Sequence, residues 1–134
     1  MPETLHVKVV TPTGSILDEE TASFTASSEM GEFCIMPNHR NIMASILPSR
    51  MLVEQVSGET VAYALDHGFL EAASDHVNVI TERCIPAEDL DKSEITKEVA
   101  SLEEKLTDMD SGAPEAQEII QALEWAKVRL AVTQ

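Results

Sequence analysis

Basic residues are scarce: nine Lys and Arg stand against 24 Asp and Glu in 134 residues, for a formal net charge of −15. The imbalance is not confined to a tail. Residues 1–84 hold twelve acids and four bases, and residues 85–134 hold twelve acids and five bases. A surface this evenly negative argues against nucleic acid, whose phosphates reward basic patches. It also argues against direct docking on anionic lipid. Long apolar runs are missing, and none approaches the length that spans a bilayer. The start, Met1-Pro2-Glu3-Thr4-Leu5, lacks a basic region followed by an apolar one, which predicts no signal peptide. Cysteine is limited to Cys34 and Cys84, which lack metal or redox spacing and are predicted to be free thiols in a reducing compartment. Aromatic residues make up only 4% of the chain, so a core must rest on Val, Ile, Leu, Met and Ala.

The motifs of common chemistries are absent as well. No glycine-rich phosphate loop of the GxxxxGK type occurs, and no GxGxxG. His6, His39, His67 and His76 are scattered, without the spacing of metal ligands on a helix. No Gly-x-Ser-x-Gly elbow presents a serine nucleophile. His39 follows Pro37-Asn38, yet a general base needs a partner that the sequence does not identify. It reads better as a loop histidine that bonds locally or meets a partner. No catalytic, cofactor-binding or metal-ligating residue is assigned.

The apolar content of 43% and the chain length suit one domain with an appendage. Leu5, Val7 and Val9 alternate with His6 and Lys8, the period of a half-buried strand. Pro12-Thr13-Gly14 supplies a turn, and Ala22, Phe24 and Ala26 alternate again. Two runs, Met51 to Val56 and Thr60 to Leu65, flank Ser57-Gly58-Glu59, which predicts a hairpin. Phe69 to Ala72 and Val77 to Ile80 flank a further turn at Ser74-Asp75. Short strands at about ten-residue spacing indicate an antiparallel sandwich or barrel. In Asp66-His67-Gly68, the glycine is predicted to allow a bulge or a close backbone approach, with a small polar site as the alternative.

The pattern changes near Pro86, dividing a β-sandwich domain at 1–86 from a helical hairpin at 87–134. Asp91 and Glu94 resemble a capping arrangement. Ile95, Val99, Leu102, Leu106 and Met109 follow on one helix face. Asp110 to Pro114 breaks the helix, and Pro114, Glu115 and Glu118 favour a new start. The second helix carries Ala116, Ile119, Leu123, Ala126 and Leu130 on one face. Trp125, Val128 and Val132 lie nearly opposite, and form a docking face for the chain's own sandwich or for another protein. A short loop between two helices predicts an antiparallel pair.

One stretch, Gly31-Glu32-Phe33-Cys34-Ile35-Met36-Pro37-Asn38-His39, resembles the signature loop of the epsilon subunit of F-type ATP synthases. The resemblance begins at Val9-Val10-Thr11-Pro12 and resumes at Gly68-Phe69-Leu70-Glu71 and Val77-Asn78-Val79-Ile80-Thr81. Ala87-Glu88-Asp89-Leu90-Asp91 resembles the entry to that family's hairpin, and Arg129-Leu130-Ala131-Val132 the end of its second helix. The resemblance implies a ten-stranded sandwich with a two-helix C-terminal domain. It implies a non-catalytic rotor subunit that turns with the gamma subunit and the c-ring, and whose hairpin regulates ATP hydrolysis in the alpha/beta head. The same resemblance implies a peripheral position on the cytoplasmic face of the cell inner membrane. By position, Glu32, Phe33, Pro37 and His39 fall at the c-ring and gamma interface.

The chain departs from the family pattern in several places. Cys34 stands where Gly is usual, Arg40-Asn41 follows His39 in place of Ala-Pro, and Ser49 follows Pro48 in place of Gly. Some members bind ATP through Ile/Leu-Asp-x-x-Arg-Ala. Here Leu90-Asp91 is kept, but Glu94 and Ile95 replace Arg and Ala, and an acid repels a phosphate. No ATP binding is therefore expected. Two other readings stay open: the equivalent mitochondrial delta-type subunit in processed form, and an unrelated small-ligand-binding sandwich, which requires a deep polar pocket.

Overall fold

The computed structural model describes residues 4–38, 40–110 and 112–133. The alternation of β1 (Leu5–Thr11) is realised in full. Leu5, Val7 and Val9 are completely buried while Lys8 points to solvent. The turn at Pro12-Thr13 returns the chain into β2 (Gly14–Ser28), antiparallel to β1. At fifteen residues β2 is the longest strand, and its register shifts between Thr21 and Ser23. Such an irregularity bends a strand and raises its twist. The first half of β2 therefore pairs with β1, and its second half with β3 (Gly31–Ile35) and β5 (Ser49–Gln55).

The remaining strands extend the sheet on both sides. β4 (Ile42–Ile46) pairs with β7 (Gly68–Ala73), and β7 with β8 (His76–Thr81). β6 (Thr60–Leu65) pairs with β5 and with β9 (Cys84–Pro86). The order is β1-β8-β7-β4-β2-β5-β6-β9, with β3 on β2 and a further β1–β2 pairing. The described residues thus form nine strands folded as a sandwich, where the family resemblance implies ten. Among the described residues all pairings are antiparallel except one: β1 and β8 run parallel. No turn joins these two strands, so no hairpin geometry dictates their direction.

The inward positions interlock in one core that includes Phe24, Ile35, Met51, Leu65, Leu70 and Val77. Its aromatic members are only Phe24 and Tyr63, with Phe33 packed at the edge. Thr21 is buried among them and donates its hydroxyl to the Leu5 carbonyl at 2.9 Å, which satisfies its polar group.

A 3-10 turn (Ala87–Asp89) leads from β9 to α1 (Lys92–Thr107). Asp91 caps α1: its Oδ1 accepts from the Ser93 and Glu94 amides at 2.9 and 3.2 Å. α2 (Pro114–Val132) starts without a side-chain cap but with Pro at its first turn, where the missing N–H costs nothing. Ala116, Leu123 and Ala126 of α2 are buried, as is Ile95 of α1. The two helices pack together and α2 lies against β5 and β6.

Candidate functional site

Two surfaces carry the residues singled out by the sequence, and the structure adds a third. The first is the segment 31–38. Read from sequence as a loop, its first part is a strand instead. Register pairs Glu32 with Ser27 and Ile35 with Phe24. The side chains alternate accordingly: Glu32 and Cys34 are exposed, Phe33 packs against the core, and Ile35 is fully buried. Gly31 holds a φ of 109°, which L side chains rarely adopt, and turns β2 into β3. Met30 on this turn is 96% exposed.

Pro37 and Asn38 lie past the other end of β3. Asn38 has a φ of 64°, and its amide donates to the Ser74 carbonyl in the β7–β8 turn at 2.5 Å. Gly31 belongs to the opposite end, where Ser28 pairs with Ile46. At about 3.3 Å per residue, Glu32 and Pro37 are separated by roughly 16 Å of extended chain. The structure therefore does not bring Glu32 and Pro37 together. His39 lies outside the described residues. The signal for this separation is the alternation Glu32 out, Phe33 in, Cys34 out, Ile35 in, which belongs to a strand.

The second surface is the hairpin seat. Trp125 and Val132 are buried against Ala64, with Ala62, Ile85, Ala87, Leu90 and Val128 packed around them. Tyr63 and Leu65 face the sandwich core, so Ala62 and Ala64 present the outer face of β6. Their small side chains let α2 and its indole approach the sheet closely. Burial of side chains the size of Val128 and Val132 is worth roughly 1.5–3 kcal/mol each where complete. Polar groups border this seat. Asp66, 6% exposed, accepts from Arg83 Nε at 2.9 Å and lies 2.8 Å from its Nη2. The Arg83 guanidinium carbon sits 4.5 Å from the centre of the Trp125 ring, and that of Arg129 sits 5.6 Å from it. Arg129 in turn pairs with Glu98 of α1. A cavity of about 450 Å³ opens beside these groups, between sandwich and hairpin. Asp66-His67-Gly68 thus combines a buried carboxylate, paired with the more exposed Arg83, with a close approach: a Cβ on Gly68 would lie 2.4 Å from the Ile80 carbonyl oxygen.

The third surface is missing from the sequence reading. Phe69 and Ile80 are cross-strand neighbours on β7 and β8, and both are exposed, Ile80 at 66%. Met43 on neighbouring β4 is exposed as well. Alternation shows which residues share a face but not which face is wet, so the sequence does not mark Phe69 and Ile80 as an exposed pair. Among the described residues no group of three His, Cys, Asp or Glu side chains converges as metal ligands.

The model of the ATP synthase delta/epsilon chain, β-sandwich domain, matches residues 4–87. The chain belongs to the ATP synthase delta/epsilon family. An ATP synthase epsilon chain of Geobacter sulfurreducens is 30% identical over 132 residues, 98% of this chain and 95% of that one. An ATP synthase epsilon chain of Rickettsia bellii is 25% identical over 108 residues, covering 79% and 100%. Among solved structures, a chain of the Euglena gracilis mitochondrial ATP synthase in an OSCP/F1/c-ring assembly superposes with a TM-score of 0.87 at 20% identity, covering 100% of this chain and 84% of that one. One from the central stalk and c-ring of Tetrahymena thermophila mitochondrial ATP synthase gives 0.59 at 12% identity, covering 97% and 96%. These two likenesses are of fold. In this delta/epsilon chain the family model ends where the 3-10 turn begins, and the match to the Geobacter chain carries the relationship through the hairpin.

Proposed function

We propose that the chain is a non-catalytic rotor subunit of an F-type ATP synthase, joining the gamma subunit to the membrane c-ring during proton-driven ATP synthesis. The observation that carries this reading is the match to an ATP synthase epsilon chain along 98% of the sequence, hairpin included. The fold supports it, since its structural likenesses come from a c-ring assembly and a central stalk. The exposed row of Met43, Phe69 and Ile80 supports a protein neighbour on the outer face of β4, β7 and β8, and gamma is the neighbour we assign to it. Glu32, exposed beside the β2–β3 turn, is assigned to the polar loops of the ring, where a carboxylate meets Arg in a charge-assisted pair. Its distance from Pro37 means that one ring loop does not reach both. No helix among the described residues is long and apolar enough to cross a membrane. The complex would hold the chain peripherally, on the cytoplasmic face of the cell inner membrane.

The hairpin inhibits ATP hydrolysis weakly in this reading. An extended hairpin entering the alpha/beta head needs basic side chains to meet acidic partners. The second helix offers Lys127 and Arg129, and both face acids of α1, Glu103 and Glu98. Electrostatic steering is correspondingly poor. Deleting residues 87–134 should raise ATPase activity only slightly, and a large rise would contradict weak inhibition. The rotor reading itself is tested by affinity purification of the tagged chain from native membranes. Gamma and the c-ring should accompany it through detergent extraction. Recovery of the chain alone, from membranes whose ATP synthase remains intact, would reject it.

A further inference from the structure

Arg83 reaches α2 from the sandwich with a charged side chain. It belongs to the link between β8 and β9, and Asp66, in the link between β6 and β7, fixes its guanidinium through both Nε and Nη2. Asp66 has its second oxygen occupied as well: Oδ1 accepts from the His67 amide at 2.7 Å. The anchor is thus a buried carboxylate with both oxygens engaged, and the guanidinium it holds lies over the Trp125 ring. Arg129, four residues and about one helix turn past Trp125 on the same helix, brings a second guanidinium to that ring and connects it to Glu98. The series Asp66, Arg83, Trp125, Arg129, Glu98 therefore runs from the sandwich through α2 to α1.

The remainder of the seat is poor in specific contacts. Its sandwich side is chiefly Ala62, Ala64, Ile85 and Ala87, small or singly branched side chains that fit many helix positions. The helix also carries a penalty when closed: Arg129 Nε is buried without a hydrogen-bond partner among the described residues. Non-directional contacts of this kind hold a helix down without fixing its register, and an unpaired N–H favours its release. A stacked, anchored guanidinium supplies both direction and hold, because a planar cation over an indole has a preferred geometry.

We propose that Arg83, anchored by Asp66 and stacked on Trp125, is the latch that keeps the helical hairpin docked on the sandwich, so that the docked fraction is set at this residue. The latch exists in the isolated chain, and its test is independent of assembly; its consequence for ATP hydrolysis rests on the rotor reading. Loss of the stack should shift the docked-to-released equilibrium roughly five- to thirty-fold.

Trp125 is the only tryptophan in the chain and reports directly. In purified R83A, its emission should move to longer wavelength and become more accessible to acrylamide, while amide exchange in β1, β7 and β8 stays protected. R83A leaves the Asp66 carboxylate buried and unpaired, which endangers the sandwich itself. The double variant D66N/R83Q removes that charge, keeps hydrogen-bonding groups, and should release Trp125 equally. R83K retains the ion pair but not the planar stack and should fall between wild type and R83A. If Trp125 stays as shielded in D66N/R83Q as in wild type, with the sandwich protected, apolar burial alone holds the hairpin and the latch is rejected. The latch is likewise rejected if R83K matches wild type, since charge without stacking would then suffice.

Discussion

The Ile80 carbonyl oxygen occupies the space in which a side chain on Gly68 would begin, 2.4 Å from an ideal Cβ, with Thr81 Cβ and Cα at 3.0 and 3.1 Å. The obstacle is backbone of a neighbouring strand, which cannot rotate away as a side chain does. Gly68→Ala should therefore destabilise the fold by about 1–3 kcal/mol, the usual cost of forcing atoms into a packed site. Urea denaturation of the two proteins measures it. Equal midpoints would show that β7 and β8 separate without cost.

His6 is held between two acids. Its Nδ1 lies 2.8 Å from Glu20 and its Nε2 2.5 Å from Asp18, and only the imidazolium can donate from both nitrogens. Hydrogen bonds first to Glu20 and then to Asp18 raise the His6 pKa above 6.5. Hydrogen bonds from Thr4 and then His6 lower that of Glu20 below 4.5. The raised histidine contributes stability in full below its unfolded value of 6.5 and loses it as pH rises through the folded value. The lowered glutamate contributes above 4.5 and loses it as pH falls through its folded value. The pair thus supports the fold most between these limits. The stability difference between wild type and His6→Gln should be greatest near pH 5.5 and fade towards pH 9, staying small throughout because the groups are exposed. A difference that grows with alkaline pH would reverse the assignment.

ATP should not bind at physiological concentration. The cavity of about 270 Å³ at the entry to α1 is lined by Asp89, Asp91, Glu94 and Glu98, with Arg129 as its one basic side chain. Arg129 is already paired with Glu98, and Asp91 is engaged as the helix cap. Calorimetric titration should give no heat of binding, whereas micromolar affinity would require other cations to reach the phosphates.

The ring contact assigned to Glu32 has its own test. Glu32 is exposed on β3 and its backbone is fixed by pairing with Ser27, so replacement by Lys changes charge without disturbing the core. Glu32→Lys should weaken coupling between proton flow and ATP synthesis in membrane vesicles, by loss of attraction and by like-charge contact. Its thermal stability should match wild type. Undiminished coupling would remove Glu32 from the interface.

Much of the fold is legible in the sequence, where pattern is local. β1, the β5–β6 and β7–β8 hairpins and the Asp91 cap follow from alternation and turn residues within a few positions of one another. β4 escaped because its outward Met43 is apolar and its inward Ala44 is small, which blurs the alternation. β9 is three residues long and ends at Pro86. The parallel pairing of β1 with β8 joins segments some seventy residues apart and leaves no trace in either. The hairpin face of Trp125, Val128 and Val132 stands out through helical spacing, but its polar partners do not. Asp66, Arg83 and Arg129 share no period, and only folding makes them neighbours.

Rotation is the most direct test of the rotor assignment, and the thiols make it possible. Cys34 is exposed, whereas Cys84 is buried and desolvation pushes its pKa up to about 12, which keeps it unreactive. A maleimide probe should therefore attach at Cys34 alone. With the labelled chain assembled into the complex and the catalytic head immobilised, addition of ATP should turn the probe continuously in one direction. A probe that stays fixed relative to the head, in a complex that hydrolyses ATP at the normal rate, would contradict the placement of this chain in the rotor.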